Sequence, residues 1–370
     1  MSSPRERIRS RRTTLNVAVT GAATPVGDRI VRALLARSAD GGAIGTVVGL
    51  GTERGSADGA HWRLVDLGSP DLAGSLRGVD ALIHVAASTD LSADLRMTAR
   101  TRRERATSQI QTVVISAAAA GVARLVVVTS AMTYGASPQN PVPIPEDAPL
   151  AADPDEGMVG DLLAVEQVLR AAGEVHPGLA ITVVRPAALV GPGIDTVITR
   201  HFEAPRLLTV RGGTPAWQFC HIEDLATALV RTVELGLGPV VNVGSHGWMA
   251  QSEVESVTGM LAVELSESMA LGIGQRLHRV GILPFPASDL AYAVYPWAIS
   301  SATLSGAGWQ PAYDNATCLA ALIESNRGHH AMAARRLDRK DAALGAASAA
   351  VALVGTAAIM RRRRRKGAIT

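Results

Sequence analysis

The chain is 370 residues long, 47% hydrophobic but only 3% aromatic, and carries a net charge of +3. That length allows one large α/β domain with a smaller lobe, or two domains, and the composition asks for a core of Val, Leu, Ile and Ala, as in a parallel sheet wrapped by helices. Much of the basic excess sits at the two ends and no basic stripe interleaved with aromatics lies between them, which excludes a nucleic-acid binder. The two cysteines, Cys220 and Cys318, are too few for a disulfide framework or a zinc site and fit a reduced cytoplasm.

Residues 1–14 are polar and basic, with Arg5, Arg7, Arg9, Arg11 and Arg12, and read as disordered. Ser10-Arg11-Arg12 hints at a twin-arginine export signal, but the apolar run after it is only a short strand that leads into a glycine turn rather than a cleavage site. That strand-turn-helix, Leu15 to Gly27, is the centre of the chain. Leu15, Val17 and Val19 form a buried strand, Gly21 takes the sharp turn, and Gly27 lets the next helix lie close to the strand. The helix keeps an apolar stripe of Val26, Ile30, Val31, Leu34 and Leu35. A strand, a glycine turn and a helix N-terminus together make a site for a dinucleotide pyrophosphate. The stretch TGAATPVG is similar to the TGxxGxxG turn of the extended short-chain dehydrogenase/reductase family, the NAD-dependent epimerases and dehydratases. Thr20, Gly21 and Gly27 match. Thr24 stands where the family has its middle glycine, the point of closest approach between backbone and phosphate.

A second strand is expected over Thr46 to Leu50. Beyond it Glu53 suits the ribose of NAD and Arg54 the phosphate of NADP, and both also read as solvated loop residues, so the cofactor is NAD or NADP. Leu64-Val65-Asp66-Leu67 resembles the family's third strand, whose Asp-Leu meets the adenine, and Asp66 also reads as a turn residue before Ser69-Pro70. Val79 to Ser88 resembles the fourth strand, with Ala86 and Ala87 along the cofactor and His84 structural within it. Thr107 takes the place of a family asparagine near the next helix, which is expected from about Gln109 to Ala120 and ends at Gly121. Strand five, Leu125 to Val128, runs into Thr129-Ser130-Ala131-Met132-Thr133-Tyr134-Gly135, similar to the family's SSxxVYG. Ser130 matches the catalytic serine that hydrogen-bonds the reacting oxygen, and Tyr134 a structural tyrosine.

These enzymes use a tyrosine as acid/base and a lysine four residues on, because a phenol titrating near pH ~10 needs a nearby cation to act at neutral pH. Aligned on Glu166, the two positions become Met158 and Leu162. The only lysines are Lys340 and Lys366, and an arginine stands four residues before each, so no YxxxK exists in the chain. Two readings follow. One is a dinucleotide-binding protein without the standard chemistry, acting as a sensor, scaffold or partner subunit. The other is an oxidoreductase or epimerase with substitute groups, Ser130 together with Tyr134, Asp161 or His221, or one whose substrate needs little acid/base help.

Ile181 to Gly193 resembles the family's sixth strand and its RPxxxxGPG exit. Arg185 and Pro186 line the nicotinamide end there, or Arg185 forms an ion pair within the sheet. The resemblance thus assigns the cofactor to Gly21, Thr24, Val26, Gly27, Asp66, Leu67, Ala86, Ala87, Arg185 and Pro186, and implies a small-molecule substrate and a homodimer. Arg200, His201, Arg206 and Arg211 suit an anionic substrate or a solvated basic surface. Gln218 to Ala226 is similar to the family's FxHVxDxA segment, with His221 and Asp224 tying the substrate lobe to the cofactor domain and Asp224 capping a helix over Leu225–Leu235. Val240 to Gly244 is the last core strand. The expected organisation is a Rossmann-type doubly wound parallel sheet over 15–245 with a lobe insertion near 194–220, a smaller substrate lobe over 246–330, and a tail over 331–370. The tail holds an uncharged run, Ala342 to Met360, followed by Arg361 to Arg365 and Lys366. It has the length of a membrane span, with an Ala-rich composition that also suits a helix lying on an anionic surface or docked on a partner. The expectation is a cytoplasmic protein attached to a membrane through 342–366.

Overall fold

A computed structural model of the chain describes residues 14–326, apart from 205, 267, 271, 273–274 and 277–286, together with 331–332 and 335–336. The expected disordered N-terminus, the helix over 342–360 and the basic tail lie outside the described residues. Among the described residues no helix is long and apolar enough to cross a membrane.

Seven strands form one parallel sheet: β1 (Leu15–Thr20), β2 (Ile44–Gly51), β3 (His61–Leu64), β4 (Ala81–Val85), β5 (Arg124–Val128), β6 (Ala180–Pro186) and β7 (Val240–Val243). Their order across the sheet is β7-β6-β5-β4-β1-β2-β3. The chain therefore reverses direction between β1 and β4, and the crevice at the carboxyl ends of those two strands is where open α/β sheets bind their ligands. The period of two in β1 sends its side chains to opposite cores. Val17 and Val19 join Ile30, Leu34 and Leu229 on one face, and Ala18 joins Val48, Leu82, Ile110 and Val127 on the other. The first face is covered by α1 (Pro25–Ala39) and α4 (Ile222–Leu235), the second by α2 (Ala99–Ala119) and α3 (Met158–Val175). The expected doubly wound sheet is what the chain forms.

Several boundaries differ from those read in the sequence. The third strand is His61–Leu64, in register with β2, so Asp66 lies past its end. Helix α2 starts ten residues before Gln109, because Thr98 accepts the Thr101 N–H as its cap and the arginine-rich segment continues the helix. Helix α4 starts at Ile222, and its cap is His221, whose Nδ1 accepts the Glu223 N–H at 3.3 Å. Asp224, expected as the cap, instead accepts the N–H groups of Ala312 and Tyr313 at 2.8 and 3.1 Å. It ties α4 to the C-terminal segment in that way, and the Tyr313 ring stacks on His221.

The segments after β6 and after β7 build one lobe together. Leu207–Val210 pairs in parallel with Ala262–Leu265, and Ala216–Trp217 pairs antiparallel with Met249–Ala250. His201, Phe202, Trp217 and Phe219 form its aromatic centre, where Trp217 donates to Gln251. Of the four residues read as cations in this region, only Arg206 and Arg211 are exposed. Arg200 is buried and bidentate to Asp195, His201 is stacked on Trp217 with its pKa pushed down to about 4 by burial, and Arg211 pairs with Glu264.

Candidate active site

The turn between β1 and α1 is built from backbone. Gly21 has φ of +60°, in the left-handed region that favours glycine. A Cβ on Gly27 would lie 2.1 Å from the Gly21 carbonyl oxygen and 2.8 Å from the Ala22 Cα, so only glycine lets α1 sit this close to the turn. Val26 is buried beneath it. Thr24 has a definite job in place of a glycine: its hydroxyl donates to the Gly21 carbonyl at 2.8 Å and accepts the Gly27 N–H at 3.1 Å, capping α1. The cap engages one of the helix N–H groups that a phosphate would otherwise meet. The cradle fits a dinucleotide: a glycine-tight turn, the N-terminus of a 15-residue helix, and the switch point of the sheet meet there.

Beyond β2, Glu53 and Arg54 are both exposed. Asp66 is exposed beyond β3, its Oδ1 accepting the Gly68 N–H in a tight turn, and Leu67 is half-buried against the second core. At the end of β4 the N–H groups of Ala86 and Ala87 both donate to the Val128 carbonyl, which locks the two alanines against β5. His84 is buried, with Nδ1 2.8 Å from the Thr20 hydroxyl, and burial pushes its pKa down to about 4. It is neutral and structural.

Ser130 begins a short 3-10 turn after β5, and its Oγ accepts the Met132 N–H at 3.2 Å. The turn is held from below by Glu166 of α3. That carboxylate accepts the hydroxyls of Thr129 and Thr133 and a two-point contact from Arg185, with Nη2 to Oε2 at 2.6 Å and Nε to Oε1 at 3.1 Å. Arg185 does form an ion pair, but with Glu166 of helix α3 rather than within the sheet. Its guanidinium is buried on Glu166 and lies over the Tyr134 ring, so the Arg185 side chain is committed within the protein. Tyr134 donates to Asn242 and to the Glu146 carbonyl, and burial raises its pKa. It is structural, as the resemblance implied.

The substitute acid/base groups named from sequence are engaged elsewhere. Tyr134 is held by Asn242. Asp161 is buried between Arg102, at 2.5 Å, and Arg103, at 2.9 Å. His221 caps α4. In the first turns of α3, Met158 and Leu162 are half-buried. Two carboxyls that the sequence did not single out carry an oxygen without a hydrogen-bond partner: Asp94, after β4, and Asp289, in the short 3-10 segment Ala287–Ala293. Burial raises both pKa values, that of Asp289 to about 7. No sequence pattern marks either, because each depends on contacts between distant segments. Among the described residues no cluster of His, Cys, Asp or Glu is arranged to hold a metal ion.

The family model for the NAD dependent epimerase/dehydratase family matches residues 17–244. A protein of uncharacterised function from Mycobacterium tuberculosis is 28% identical over 206 residues, 55% of this chain and 54% of the relative. The chain thus spans about half the length of the mycobacterial relatives it matches. The 3-diazoavenalumate denitrifying reductase of a Streptomyces species is 30% identical over 235 residues, 60% of this chain and 72% of the relative. Among solved structures, dTDP-glucose 4,6-dehydratase DesIV from Streptomyces venezuelae, solved with NAD, superposes with a TM-score of 0.63 at 19% identity, covering 85% of this chain and 97% of that one.

Proposed function

Since the chain belongs to the NAD dependent epimerase/dehydratase family, we propose that it binds NAD or NADP at the β1–α1 turn and acts as an oxidoreductase on a small molecule without the tyrosine–lysine pair. The observation that carries this reading is the turn itself, where the contact between Gly27 and Gly21 is kept although Thr24 replaces the middle glycine. A nicotinamide dinucleotide bound there supplies or takes up a hydride. Gly21 and the first turn of α1, with Val26 beneath, receive the pyrophosphate. Asp66 and Leu67 face the adenine end, and Ala86, Ala87, Arg185 and Pro186 border the nicotinamide end with small or backbone surface. Ser130 offers its hydroxyl to a substrate oxygen, held in place by the Glu166–Arg185 pair beneath it. The Streptomyces relative is a reductase by name, and a reductive role is the part of its activity carried over here.

The test is calorimetric titration of the full chain with NAD, NADH, NADP and NADPH. Micromolar binding of one form is expected and selects the cofactor. No binding of any form at millimolar concentration refutes the reading and leaves a scaffold protein. Attachment to a membrane through 342–366 is a separate proposal from sequence alone, tested by flotation of the full chain with anionic vesicles.

A further inference from the structure

Helix α3 offers no proton donor at positions 158 and 162, so a carbonyl substrate would be left as an alkoxide after hydride addition. A substrate that carries its own positive charge has no such need. Beside the first turn of α3 lies a cleft of about 70 Å³ lined by Gly135, Ala152, Val159, Tyr292 and three carboxyl residues, Asp153, Asp155 and Asp289. It abuts the same two elements as the candidate active site. Tyr292 donates to the Met132 carbonyl at 2.6 Å, two residues from Ser130, and Val159 adjoins Met158. Asp155 is satisfied, accepting the Gly157 N–H at 2.7 Å and the Ser288 hydroxyl. Asp289 is not: it is 5% exposed, and its Oδ2 has no hydrogen-bond partner among the described residues. A buried carboxyl with an unfilled oxygen, flanked by a second carboxylate, gains most from a cation. The nearby Arg102 does not supply it, being held by Asp161 and by the Glu156 carbonyl.

Resting on the reading that a reduced nicotinamide dinucleotide binds the β1–α1 turn, we propose that the substrate is a cationic electrophile of the iminium class, drawn by its positive end to the cleft of Asp153, Asp155 and Asp289. The balance is simple. A hydride adds to the iminium carbon, the C=N π pair withdraws to nitrogen, and a neutral amine results. The dinucleotide is oxidised by two electrons, the iminium is reduced by two, and no proton moves. Met158 and Leu162 in place of a proton-donating pair are then the apolar wall such a reaction tolerates.

The experiment compares 2-methyl-3,4-dihydroisoquinolinium with its neutral ketone analogue α-tetralone. Each is titrated into the full chain by calorimetry, with and without the dinucleotide. The cation is expected to bind at least tenfold more tightly, and more tightly at pH 8 than at pH 6 as Asp289, faced by Asp155 and Arg102, loses its proton. Asp289→Asn is expected to weaken the cation about tenfold while leaving α-tetralone and dinucleotide binding unchanged. Asp153→Asn, on the exposed rim, weakens the cation by a smaller factor and serves if the first variant does not fold. Equal binding of the two probes, or cation binding indifferent to both variants, overturns the proposal. Dinucleotide binding without cation preference would sink this inference alone. Cation preference without dinucleotide binding would sink the redox reading and leave the charge preference standing.

Discussion

Replacing Glu166 by leucine should cost the protein a large share of its stability, and replacing Arg185 by methionine as well should restore most of it. The side chains of Arg185 and Glu166 are 6% and 4% exposed, so solvent does not screen their interaction. Removing the carboxylate strands a buried guanidinium, which costs about 3–5 kcal/mol. Set against a typical total of about 5–15 kcal/mol, that is about a fifth of the stability at the least. The Tyr134 ring beneath the guanidinium offsets about 1–2 kcal/mol of it. In the double variant the desolvation penalty of both ions vanishes, and the remaining loss is the acceptor for Thr129 and Thr133, about 1–3 kcal/mol. Urea unfolding at pH 7 followed by tryptophan fluorescence would read both. A single variant within about 1 kcal/mol of the parent, or a double variant as unstable as the single, would refute the account of a charge pair buried for positioning.

Gly27→Ala forces a Cβ against the Gly21 carbonyl and the Ala22 Cα, so dinucleotide affinity should fall at least tenfold by calorimetry, with about 1–3 kcal/mol of stability lost; an unchanged Kd would remove the turn from the cofactor site. Thr24→Gly gives up a cap worth only a few tenths of a kcal/mol relative to glycine and releases the Gly27 N–H, so affinity should rise; a weaker complex would mean that the threonine itself touches the ligand. Stability should depend on pH in opposite senses through two kinds of buried group. His84 and His201 are held down to about 4 from 6.5, so the unfolded chain binds protons first and their contribution, present above pH 6.5, is lost as pH falls towards 4. Asp289 is held up to about 7 from 3.8, so its contribution is complete below pH 3.8 and lost as pH rises through 7. The stability of Asp289→Asn relative to the parent should therefore rise by about 3 kcal/mol between pH 4 and pH 7, and a flat difference in urea midpoints across that range would show that Asp289 has a partner.

The parallel sheet was legible because β1, β4 and β5 are short runs of Val, Leu, Ile and Ala bounded by turn residues, which few other structures accommodate. The turn at Gly21 and Gly27 was legible for the same local reason. What escaped was decided by distant partners. The arginines at 102 and 103 carry no assignable role in the sequence, yet Asp161, about sixty residues on, pairs with both and leaves them half-buried on the helix. Asp224 has the residue type and position of a cap, but the Ala312 and Tyr313 N–H groups compete for its carboxylate, and His221 takes the helix end. Arg185 shows the limit of motif reading: its place at the end of β6 follows from sequence, whereas the direction of its guanidinium is set by Glu166 on another element.

The start of α3 shows why the absence of a tyrosine and lysine there is not a matter of two substitutions. A Cβ on Gly160 would meet the Asp155 carbonyl at 2.1 Å and the Arg103 guanidinium at 2.7 Å, so the helix start is packed against the segment before it. Arg102 and Arg103 each reach past Asp161 to a carbonyl of that segment, Glu156 and Asp155 respectively. The turn that would hold a reactive phenol is thus committed to an ion-paired joint between α2 and α3. A lysine introduced at position 162 would enter a neighbourhood whose carboxylate is already shared by two arginines, where repulsion from their guanidinium groups lowers the lysine's own pKa and disfavours the cation that a reactive phenol needs. The first turn of α3 is thus built for packing and charge neutralisation rather than for proton transfer, a demand that a cationic electrophile does not make.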